Sequence, residues 1–152
     1  MVAVLKSPLS VPVSAKRNMI LNLNNYRFIG NARGGYHTLN NAKVKYKELM
    51  TDQLNDKLSS ELQSIAIQYK VYKGDKRRFD IGNICSIHQK FFEDALVESG
   101  KISDDRHENI PLTFYTFGGI DKDNPRVDVI IYNLIDKEDI FRLQKDIEEL
   151  IG

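Results

Sequence analysis

Apolar residues recur every three to four positions from Leu39 through Ala42, Tyr46, Leu49, Met50, Leu54 and Leu58, which lays one stripe along a helix. Lys43, Lys45 and Lys47 fall on its other faces. Between Leu62 and Lys73 the period shortens to two, with Ile65, Ile67, Tyr69 and Val71 on one side and Ala66, Gln68, Lys70 and Tyr72 on the other. That alternation predicts a strand, ended by Gly74 and Asp75. Helical spacing returns with Ile84, Ile87, Phe91, Ala95 and Leu96, from about Asp80, which is placed to cap, to a stop at Ser99 and Gly100. The β-rich runs Leu112 to Phe117 and Val127 to Tyr132 are separated by Gly118, Gly119, Asn124 and Pro125, so they are expected to pair as a hairpin. Ile140, Leu143, Ile147 and Leu150 predict a last helix, with Asp136 and Asp139 in its first turn. The first forty residues are mixed, and Met19 to Leu23 followed by Gly30, Gly34 and Gly35 predict a strand or two and then a mobile loop. This order predicts an α/β or α+β fold, a mixed β-sheet with helices packed against it, in one domain over residues 1–152.

A chain of 152 residues, 41% hydrophobic and 28% charged, has the composition of one compact soluble domain. Twenty-two basic residues against twenty-one acidic ones leave +1, so any hold on nucleic acid must come from a local patch. The lone Cys85 excludes an internal disulfide, and with three histidines it cannot complete a four-ligand zinc site without carboxylates. Met1 to Val13 is interrupted by Lys6, Pro8 and Pro12, which excludes a signal peptide or membrane span there and points to the cytoplasm. The Asn31 to Gly35 segment, with Arg33, could approach a phosphate, but no G-x-G-x-x-G and no Walker lysine is present, so no nucleotide cofactor is expected.

Charge is segregated between Tyr69 and Arg106. Lys70, Lys73, Lys76, Arg77 and Arg78 come first, opposed only by Asp75, and read either as a phosphate-binding cluster or as a solvated loop. A wheel of the following helix puts Ile81, Ile84, His88, Phe91, Phe92 and Ala95 on the core side and Gly82, Ser86, Gln89 and Glu93 toward solvent. Asp80, Asn83, Lys90 and Asp94 fill the arc between. Asp104 and Asp105 are turn formers, or else one of them returns to Asp80 and completes a carboxylate site for Mg²⁺. Such a site suits phosphodiester hydrolysis. On a continuous helix Asp80 and Asp94 lie roughly 21 Å apart and cannot share an ion, so Asp80 with Asp105 is the preferred pair. His88 reads as a core histidine, Cys85 as a small buried hydrophobe, and His107 as a surface residue. The acids of the last helix, Glu138, Asp139, Asp146, Glu148 and Glu149, read as a solvated face, or as a surface for another protein.

The run Arg77-Arg78-Phe79-Asp80-Ile81-Gly82-Asn83, then Lys90, Asp94-Ala95-Leu96 and Asp104-Asp105, resembles the RusA family of Holliday-junction resolvases, as does the early Asn24-Asn25-Tyr26-Arg27. The matches span Asn24 to Asp105. The resemblance implies a RusA-like fold and a Mg²⁺-dependent endodeoxyribonuclease, Mn²⁺ serving also, that cuts branched DNA such as four-way junctions as a homodimer. It implies Asp80 and Asp105 as metal-binding carboxylates, with Asp104, or Asp94 if the helix is broken, replacing the one that is missing, and Lys90 as the catalytic-site lysine. Lys70, Lys73, Lys76, Arg77 and Arg78 would hold flanking phosphates, with Asn83, Asp94 and Arg27 in support. Gly82 stands where the family has a second aspartate, and the interval from Asn83 to Lys90 is about one helical turn longer than in the shortest members. Loss of that carboxylate opens an alternative, a junction-binding or regulatory protein with impaired catalysis.

Overall fold

In this computed structural model, which describes residues 2–58 and 60–152, strands β1 (Ala3–Pro8), β2 (Ser10–Pro12) and β3 (Asn18–Ile20) lead into helices α1 (Leu23–Asn31) and α2 (Gly35–Lys57). Then follow β4 (Ile65–Lys73), α3 (Ile81–Glu98), β5 (Leu112–Ile120), β6 (Arg126–Asn133) and α4 (Lys137–Ile151). The result is a mixed α/β domain whose four-stranded sheet has the order β1-β6-β4-β5, beside a small β2-β3 ribbon. β4 pairs parallel with β5 and antiparallel with β6, and β6 pairs antiparallel with β1. Among the described residues no helix is long and apolar enough to cross a membrane.

The expected β5–β6 hairpin is not formed: β4 lies between the two strands. The reason is burial. Ile65 to Tyr69 are buried without interruption, because β4 is covered on both faces. Tyr69 packs edge-on against Phe92 of α3, while Ala66 on the other face joins Tyr132 and Leu143 of α4 in a second cluster. A strand with two apolar faces belongs inside a sheet, so β5 and β6 take its two sides.

Residues 24–38, expected as loop, are instead largely helical. α1 forms there, capped by Asn22, whose side chain accepts from the Asn25 amide at 2.8 Å. α2 starts at Gly35, four residues before the apolar stripe begins. Gly34 turns the corner with φ +74°, and a Cβ on Gly35 would sit 2.0 Å from the Ile29 carbonyl oxygen. The two helices can meet that closely only at a glycine.

α2 and α3 cover one sheet face, burying Tyr46, Met50, Leu54, Phe91 and Phe92 with Leu5 and Val129. His88 lies in this core, with Nδ1 2.6 Å from Ser7 Oγ, which is itself 2.7 Å from Tyr46 Oη. Cys85 is buried as well. On the other face, two acids of α4 serve the fold while Glu138, Glu148 and Glu149 are exposed: Asp139 accepts from the Asn133 amide at 2.8 Å, and Asp146 accepts from Tyr132 Oη at 2.7 Å.

Candidate functional site

α3 positions most of the candidate residues. Its N-cap is Asp80, whose carboxylate accepts the Gly82 amide at 2.9 Å, and the helix runs unbroken to Glu98. Rise along that helix carries Lys90 about 15 Å and Glu93 about 20 Å from Asp80. Asn83, one turn in, accepts the Asn24 amide of α1 at 3.3 Å. Lys90 is exposed, its ammonium 5.7 Å from the Tyr26 ring centre, so the Asn-Tyr-Arg segment of α1 braces the middle of α3. Arg27 is exposed on α1 beside these contacts.

Farther along, α3 and the chain that enters β5 enclose a recess of about 350 Å³, lined by Ser86, Gln89, Lys90, Glu93, Asp94, Asp105 and Tyr115. Lys90, Asp94 and Asp105, three residues singled out in the sequence, therefore share one concavity. Asp80 is not among its lining. Asp104 turns elsewhere: one oxygen is 2.7 Å from Arg106 Nε and the other accepts the Asp105 amide at 2.8 Å. The recess thus takes in Asp105 without Asp80 or Asp104. Among the described residues no group of three or more His, Cys, Asp or Glu could hold a metal ion.

Glu93 was expected to face solvent, yet it is half-buried in the recess. Tyr115 Oη donates to Gln89 Oε1, which turns the Gln89 amide so that Nε2 donates to Glu93 Oε1 at 3.3 Å. Burial pushes the Glu93 carboxyl up to about 7, and the charges of Asp105 and Asp94 add to this. Ser86 Oγ and Tyr69 Oη, both buried, lack hydrogen-bond partners among the described residues. No helix-period signal could have shown this, since the groups that enclose Glu93 come from β5 and the preceding loop. Asp94 is also 3.9 Å from Lys43 Nζ, tying α3 to α2.

The basic cluster divides. Lys76, Arg77 and Arg78 are exposed on the loop before Asp80. Lys73 is built into that loop: its ammonium donates to the Arg77 carbonyl at 2.8 Å and lies 4.6 Å from the Phe79 ring centre. Lys70 is in register with Asp128 and Thr116, on the sheet face opposite α3. No family model matches this chain, and no curated protein matches it either.

Proposed function

We propose that the protein is a structure-selective endodeoxyribonuclease of the RusA kind, which hydrolyses phosphodiester bonds of branched DNA with Mg²⁺ and works as a homodimer. One observation carries the reading: Lys90 and Asp105, both implied by the resemblance and fifteen residues apart, line a single solvent-open recess. Mg²⁺ is commonly held by only one or two carboxylates when phosphate and water oxygens complete its shell. Asp105 and Asp94, the two aspartates in the recess, would take this role. When bound, the ion would neutralise the scissile phosphate and lower the pKa of a water nucleophile. Lys90 would hold negative charge developing on the phosphate oxygens. Arg77, Arg78 and Lys76 would grip the strand at the head of α3, where Asp80 caps the helix.

Nicking of a synthetic four-way junction tests this. Asp105→Asn and Lys90→Ala should each slow nicking by about 10²-fold or more while junction binding persists. Undiminished nicking by both variants would remove the proposal. Asp80→Asn keeps a capping oxygen, and it should retain more nicking than Asp105→Asn.

Gly82 favours a second reading, junction binding without cleavage, because the head of α3 carries one carboxylate where the family has two. Salt-sensitive binding with no product in Mg²⁺ or Mn²⁺ would select it.

A further inference from the structure

The near-zero net charge conceals an uneven distribution. Residues 1–47 contain eight lysines and arginines and no aspartate or glutamate, whereas the remaining 105 residues contain fourteen basic and all twenty-one acidic side chains. The amino-terminal part therefore carries +8 and the rest −7. Lys43, Lys45 and Lys47 spend their charge on Asp94, Glu48 and Glu98. Arg27 and Arg33 have no ion-pair partner among the described residues.

These two arginines flank exposed aromatic rings. Asn24, Arg27, Phe28 and Asn31 follow one another at helical spacing on α1, and all four are exposed. Phe28 is 76% exposed and Tyr36, just past the corner, is 80% exposed. The helix itself is fixed in place: Tyr26 packs edge-on with Phe91, the Asn24 backbone amide donates to Asn83 Oδ1, and Gly35 holds the α1–α2 corner tight. Two unpaired cations and two outward rings thus stand on a braced corner with no acid in its own segment. Rings with a π-face and guanidinium groups together are what single-stranded nucleic acid recognises, because every base can stack and every linkage carries a negative charge.

We propose that the exposed face of α1 and the α1–α2 corner form a platform that stacks unpaired DNA bases through Phe28 and Tyr36 and holds their phosphates through Arg27 and Arg33. Branched DNA with a single-stranded arm, such as a flap or a fork, presents such bases, so the inference extends the nuclease reading and rests on it for the choice of DNA.

Fluorescence anisotropy with a labelled oligo-dT strand and a blunt duplex of equal length tests the platform. Phe28→Ala/Tyr36→Ala should weaken oligo-dT binding by about 10-fold or more and duplex binding by less than about 3-fold. An oligonucleotide carrying 2-aminopurine gives a readout that lost stability would not imitate. Its fluorescence should be quenched by the wild-type protein and recover with Phe28→Leu/Tyr36→Leu, whose circular dichroism and melting should match the wild type. Failure of the wild-type protein to bind oligo-dT, equal loss on both ligands, or quenching that survives in the leucine variant would overturn the inference. Binding and quenching as expected, without junction nicking in either metal, would uphold the platform and sink the nuclease reading alone.

Discussion

Two titratable side chains show what individual residues contribute, and they act in opposite senses. Burial of His88 pulls its pKa from 6.5 down to about 3, so the folded protein refuses a proton that the unfolded chain accepts. Its contribution is whole above pH 6.5 and drains away as the pH falls toward about 3. Unfolding free energies from urea titrations across that range should fall by several kcal/mol in total, and His88→Leu should flatten the slope. Glu93 is the reverse case. Its folded carboxyl, raised to about 7 from 4.5, favours the folded state at low pH and loses that contribution as the pH rises through 7. Glu93→Gln should therefore be more resistant to urea than the wild type at pH 8 and indistinguishable from it at pH 4. His88 and Cys85 were legible as core residues because the wheel alone decides them. Glu93 was not, because Tyr115 and Asp105 reach it from outside the helix.

Among the elements, α2, β4, α3 and α4 were legible because each carries its own period. α1 was not: Asn24, Asn25 and Gly30 are poor helix formers, and the helix exists through its Asn22 cap and its packing on α2 and α3. The glycines before Ile120 resemble a turn for a different reason. A Cβ on Gly118 would come within 2.6 Å of the Tyr72 ring, so the glycine there makes room for an aromatic side chain inside the sheet. Two substitutions probe these elements. Gly35→Ala should lower stability by about 1–3 kcal/mol, read as a shift of the urea midpoint, because backbone must move to admit the methyl group. Asp80→Ala should cost about 1 kcal/mol through the lost cap, whereas Asp80→Asn should cost little. A comparable loss in both would mean that the carboxylate charge, and not the cap, holds the head of α3.

For the whole molecule, the mixed α/β class was readable from the order of elements, while strand order was not, since pairing depends on which strand is buried on both faces. Charge follows the same division between composition and arrangement. The cluster that looks continuous in sequence is divided, with Lys70 on the sheet face opposite α3 and Lys76, Arg77 and Arg78 on the loop that leads into α3. Replacing those three residues with glutamine should weaken junction binding and lower its log-log salt slope by about 2–3, whereas Lys70→Gln should leave the slope unchanged. Equal effects from both would place DNA on the far face of the sheet.

Gln53 of α2 reaches over to β1, where its side-chain oxygen accepts the Lys6 amide at 2.6 Å and its nitrogen donates to the Lys6 carbonyl at 2.9 Å. One glutamine thus occupies the outward-facing backbone groups in the middle of that border strand, and Pro8 has no amide hydrogen to offer. Copies of this protein that meet border to border along the four-stranded sheet therefore meet more readily at β5. Like against like uses up that border in both molecules, so pairing of this kind closes at two.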